Sequence, residues 1–96
     1  MSEALILEFD GVTADQYGAV NKILGVDATT GAGDWPAPLT SHLAAGDGTK
    51  LVVVEVWESQ AAQAEFMARL GPALHEVGLP EPTRMEWLTI HGRYNS

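Results

Sequence analysis

Four residues of this chain combine titratable or aromatic groups at a spacing that could move a proton. Glu55 precedes Trp57 by two positions in the run Leu51-Val52-Val53-Val54-Glu55-Val56-Trp57-Glu58, His42 sits in Leu-Thr-Ser-His-Leu-Ala-Ala before it, and His91 ends Thr-Arg-Met-Glu-Trp-Leu-Thr-Ile-His. The valine-rich run is β-branched and reads as a central strand, so residues two apart share a face. A carboxylate on such a strand is desolvated, the circumstance that turns it into a general base, unless it pairs with Arg84 or Arg69 or faces a seam between subunits. Histidine titrates near neutrality, so His42 and His91 are either proton carriers or half-buried hydrogen-bonding residues. Glu55 and His42 are thus the candidate catalytic groups, and His91 a candidate on the ligand wall.

The elements that must place these groups are legible from periodicity. Residues 4–10 alternate as a first strand. Thr13 and Gln16 form a capping box for a helix whose Tyr17, Val20, Ile23 and Leu24 recur at helical spacing until Gly25. Gly18 inside that helix costs about 1 kcal/mol relative to alanine, so either the helix is marginal or something packs closely there. Residues 26–38, with two prolines and two glycines, form a loop carrying Trp35, either a lid over a pocket or a seal at the core edge. Residues 39–45 make a second strand, and Asp47-Gly48 predicts a two-residue hairpin into the central strand. That register sets His42 opposite Val53, on the face of Glu55 and Trp57; a slip of one residue would turn it to the valine face.

Ser59 caps a second helix with Ala62, Phe66, Met67, Leu70 and Leu74 as its apolar stripe. Gly71-Pro72 predicts a kink there or a new short helix running to near Gly78. Residues 83–91 alternate as a last strand that puts Trp87 and His91 on one side, and residues 92–96 form a tail. The order β-α-β-β-α-β is that of an α+β, ferredoxin-like sandwich with both helices on one face of the sheet. The even positions Val52, Val54 and Val56 leave the other face apolar, which predicts a homodimer through the sheet face.

Composition bounds the rest. The chain has 96 residues, 46% of them hydrophobic, enough for one domain over residues 1–96. Thirteen acidic residues against five scattered basic ones give a net charge of −8, which disfavours nucleic acid and anionic membranes as partners. Without cysteine there is neither disulfide nor thiolate chemistry, and no signal peptide or membrane span is evident, so a cytoplasmic location is expected. His42, His75 and His91 lack zinc-ligand spacing, and no phosphate loop or nucleophile elbow is present, so neither metal nor cofactor is expected.

The strand and helix order, the Val-Trp-Glu-Ser sequence at 56–59 leading into an alanine-rich helix, and Arg-Leu-Gly-Pro-Ala-Leu at 69–74 resemble the antibiotic biosynthesis monooxygenase-like family, its small actinobacterial-type members above all. The resemblance covers nearly the whole chain. It implies a dimeric α/β barrel with a pocket between sheet and helices in each subunit, Trp57 lining it at the end of the third strand. It further implies an apolar or aromatic small molecule as ligand; Tyr17 and Phe66, one on each helix, either fill the core or form the aromatic wall of its pocket, with Trp87 and Trp35 as further candidates for that wall. Two functions follow: a cofactor-independent monooxygenase acting on an aromatic or polyketide-like molecule, or a non-enzymatic, stress-associated or ligand-binding dimer on the same scaffold. Haem-degrading relatives carry a histidine ligand where this chain has Phe66, and the pocket asparagine of the first strand is not matched by Leu5, Leu7 or Phe9.

Overall fold

A computed structural model describes residues 3–94. The elements are β1 (Glu3–Asp10), α1 (Ala14–Leu24), β2 (Leu39–Gly46), β3 (Lys50–Trp57), α2 (Gln60–Val77) and β4 (Arg84–Thr89). The four strands form one antiparallel sheet in the order β2-β3-β1-β4, so the valine-rich strand is internal and the strands bearing His42 and Trp87 are its two edges. Leu5, Leu7 and Phe9 of β1 meet Leu51, Val53 and Trp57 of β3 in a buried cluster under the helices. Leu5 and Trp57 are wholly buried there, and each such side chain contributes about 1.5–3 kcal/mol relative to exposure.

Helix α1 begins and ends where the sequence placed it. Gln16 N–H donates to Thr13 Oγ1 at 3.2 Å and Thr13 N–H to Gln16 Oε1 at 2.9 Å, and Gly25 closes the helix in the left-handed conformation. These caps orient the helix so that Val20 is buried and Tyr17 half-buried against the sheet. Gly18 faces solvent with nothing near its missing Cβ, so the helix carries that cost without a packing return.

Three expectations are corrected. Gly46 pairs with Leu51, two residues beyond the Thr49 that the expected hairpin gives it, and the turn between them is held by the Asp47 carboxylate, which accepts from Thr49 N–H (2.9 Å), Thr49 Oγ1–H (2.7 Å) and Lys50 N–H (3.1 Å), while Gly48 takes φ +91°. His42 therefore lies opposite Glu55, not Val53, two residues from the expected register and on the same face. Helix α2 runs unbroken from Gln60 through Pro72 to Val77, capped by Gly78. Pro72 is exposed, and the carbonyl it leaves without a donor belongs to Ala68, itself exposed and open to water, while buried Ala73 holds the following turn against the core. The last strand is shorter than expected, ending at Thr89 and leaving His91 exposed beyond it.

Candidate functional site

The candidate site lies where β2 and β3 face α1 and the loop at residues 26–38. Cross-strand pairing sets His42 and Glu55 directly opposite each other, the arrangement in which side chains of adjacent strands meet. His42 Nδ1 lies 2.7 Å from Glu55 Oε2. On the other side of the carboxylate, Trp57 Nε1–H donates to Glu55 Oε1 at 3.0 Å, and on the other side of the imidazole, Tyr17 Oη lies 2.6 Å from His42 Nε2. An indole N–H can only donate and a carboxylate only accept, so the pattern places a proton on Nδ1 and leaves Nε2 to accept from the tyrosine hydroxyl. The result is one directed chain, Tyr17 to His42 to Glu55, with Trp57 closing it.

Burial is graded along this chain. Trp57 is 0% and Glu55 7% exposed, and the His42 side chain is 14% exposed. Burial pushes the Tyr17 hydroxyl above its ordinary value, with a counteracting bond to the Asn21 side chain and a further upward push from the negative charge of Glu55. Tyr17 thus stays protonated at neutral pH and acts as a donor. Neither arginine considered as a partner for Glu55 takes that role: Arg84 Nη2 pairs with Glu86 at 2.7 Å and Arg69 Nη2 with Asp34 at 3.2 Å.

Tyr17, His42, Glu55, Phe66 and Trp35 share the wall of a cavity of about 60 Å³ between sheet and helices, whose remaining lining is aliphatic apart from Phe9 and Asn21. Trp57, Trp87 and His91 are not part of that wall. Trp57 packs beneath Phe66, ring centroids 5.7 Å apart, and reaches the cavity only through Glu55. Trp87 packs on the core from the far edge strand, opposite Leu5, and His91 lies past the end of that strand, so these two are not brought to His42. His75, on α2, is exposed.

The loop at 26–38 places Trp35 on the wall of the cavity. The Trp35 ring lies 5.2 Å from the His42 ring, and its Nε1–H donates to Ala32 O at 3.0 Å. On the outer side of Trp35 lies a cleft of about 270 Å³ that again includes His42, with Leu39, Thr40 and Ser41. Trp35, Leu39 and His42 line both the cavity and the cleft. The loop is held by a bridge between Val26 and Gly33, where φ is +111° and a Cβ would lie 2.3 Å from Gly25 O, so glycine is required.

Sequence reasoning missed two parts of this arrangement. Arg69 donates to Leu24 O at 3.0 Å and to Asp34, and stands over the Phe66 ring at 5.4 Å, tying helix end, loop and cavity wall together; an arginine on a helical pattern gives no signal of such reach. Leu39 lines the cavity with His42 although the two are an odd number of residues apart. A bulge at Thr40, between the pairs Leu39–Trp57 and Ser41–Val56, brings both onto one face; nothing in the local composition announces it.

Among the described residues no group of histidine, aspartate or glutamate has the geometry to hold a metal ion, and no helix is long and apolar enough to cross a membrane. No family model matches the chain, and no curated protein matches it in sequence. Solved structures do resemble it in three dimensions. A protein of Chloroflexus aurantiacus J-10-fl provisionally assigned as an antibiotic biosynthesis monooxygenase superposes with a TM-score of 0.67 at 12% identity, covering 99% of this chain and 98% of that one. Rv0793 of Mycobacterium tuberculosis superposes with a TM-score of 0.66 at 18% identity, covering 99% and 100%. The chain has, over its whole length, the ferredoxin-like α+β fold of these two proteins.

Proposed function

We propose that this protein is a member of the antibiotic biosynthesis monooxygenase-like family and a cofactor-independent monooxygenase acting on an aromatic or polyketide-like small molecule. The observation that carries the reading is the hydrogen-bonded sequence Tyr17–His42–Glu55–Trp57 on the wall of an apolar cavity. An electron-rich anthrone or hydroquinone that loses a proton reduces dioxygen directly. For an anthrone, one oxygen atom enters the ring carbon as a carbonyl and the other leaves as water with the two hydrogens of that carbon. Such a reaction asks the protein for a base, a dry site and orientation. Glu55 and His42 supply the base, and Tyr17, Phe66 and Trp35 the aromatic wall.

The inner cavity is below the size usual for ligand sites, about 300–1,000 Å³, so a polycyclic ligand enters with Trp35 displaced and occupies cavity and cleft together. A second reading, a ligand-binding dimer without turnover, is favoured by the bonds that already engage both nitrogens of His42 and both oxygens of Glu55. Oxygen uptake without added cofactor, against a panel of anthrones and hydroquinones, separates the two: saturable uptake supports the oxygenase, and quenching of tryptophan fluorescence without uptake supports the binding protein.

Assembly as a homodimer through the outer sheet face is part of the proposal. That face leaves Leu43 60% and Leu88 40% exposed beside half-buried Val52 and Val54, an apolar surface that a second copy would cover. Sedimentation should give twice the mass of one chain, and Leu43→Arg should return it to a single mass. A cytoplasmic setting belongs to the same proposal and is checked by cell fractionation.

A further inference from the structure

Within the sequence Tyr17–His42–Glu55–Trp57, the hydrogen bonds and burial leave the Tyr17 hydroxyl the group most open to a ligand. His42 has Nδ1 engaged by Glu55 and Nε2 by Tyr17, and its ring is flanked by Trp35. Each Glu55 oxygen already accepts a bond, one from His42 and one from Trp57, and Glu55 and Trp57 are buried. Tyr17 is different. Its hydroxyl donates to Nε2 and, with one lone pair turned to the Asn21 side chain, keeps the other to accept, and its half-buried ring lines the cavity beside Asn21.

We propose that Tyr17 is a catalytic residue, and that its Oη, not an imidazole nitrogen, exchanges the proton with a hydroxyl-bearing aromatic ligand. This rests on the reading of the site as proton-abstracting. In the step, the ligand O–H bond breaks as a new Oη–H bond forms, while the original Oη–H bond breaks and Nε2–H forms. No electrons are transferred. The ligand becomes a phenolate that accepts a hydrogen bond from a tyrosine neutral before and after, and the imidazolium is held against the Glu55 carboxylate. The same burial that keeps Tyr17 protonated makes it unsuited to act as a free tyrosinate base, so the proton passes through it.

The test uses 4-nitrophenol under nitrogen, because its phenolate is visible and no turnover is required. At a pH where the free probe is mostly phenol, saturating probe on the wild-type protein should show the phenolate band. Tyr17→Phe, which keeps the ring and loses only the hydroxyl, should bind the probe within about threefold, the scale of a single modest hydrogen bond, yet hold it as the phenol. His42→Ala should also abolish the band. A Tyr17→Phe protein that ionises the probe as fully as wild type overturns the proposal while leaving His42 as the base. A His42→Ala protein that still ionises it overturns the reading of the site beneath, and a wild-type protein without a phenolate band overturns both.

Discussion

The two edge strands offer the same residue types and meet different ends. β2 carries His42 and β4 leads to His91; each strand pairs with one neighbour, and each has an aromatic close by, Trp35 for one and Trp87 for the other. His42 became part of a site because three independent constraints meet on it: the Asp47 turn that sets Glu55 opposite, the helix cap that aims Tyr17, and the glycine-dependent loop that brings Trp35 over it. His91 has none of these, since β4 ends two residues before it. A titratable group on a strand acquires chemistry from what is opposite and above it, and its own identity is the smaller part.

The comparison is broken most directly by exchanging which histidine is lost. His42→Ala should lower oxygen uptake by about 10²–10⁴-fold, the usual share of a positioned acid or base, whereas His91→Ala should leave it within about twofold. Equal losses in the two variants would remove His42 from its privileged position.

A middle-sized effect separates the tryptophans. Trp57→Phe retains the ring beneath Phe66 and strips one donor from a buried carboxylate, so it should cost about 1–3 kcal/mol in urea unfolding along with activity. Trp87→Phe, at the half-buried edge, should cost less than about 1 kcal/mol and leave uptake intact. Similar costs would mean that the bond to Glu55 contributes little.

The smallest effect tests the turn that sets the register. The bonds from Thr49 and Lys50 hold the Asp47 carboxyl down to about 2 from an ordinary 3.8. A lowered value stabilises the fold above the unfolded-state value, and this contribution is lost as pH falls through the folded one. Wild type should therefore outlast Asp47→Asn in thermal melts at pH 5, with the gap closing between about pH 4 and pH 2. A gap that persists at pH 2 would place the turn's stability elsewhere.

Much of the fold was legible because its signals are local. Alternation in β1 and β3, Thr13 with Gln16, Gly25, Ser59 and Gly78 each depend on a few neighbouring residues, and the structure uses them as the sequence suggests. Of the two alternatives at Pro72, the new short helix is absent because the exposure of Pro72 and the packing of Ala73, both tertiary, carry α2 through it. The site was legible in part: Glu55 and His42 share a face by parity alone, which survives a two-residue error in register. What Trp57 does was not legible, since β-strand alternation gives the face of a side chain and not the direction of its N–H. In the structure that N–H is taken by Glu55, and Phe66 covers the ring.

The extra residue at Thr40 has a consequence in the language of descent. Strict alternation would put Leu39 and His42 on opposite faces, so the cavity depends on how many residues precede Ser41 as well as on which they are. With the hairpin end fixed by Asp47, removing one residue at the bulge would leave His42 facing Glu55 and turn Leu39, with the Trp35 segment behind it, by one pleat. A lineage can therefore keep every side chain that carries charge and still lose the cover over them through a single deletion, whereas many substitutions elsewhere in β2 would pass unnoticed.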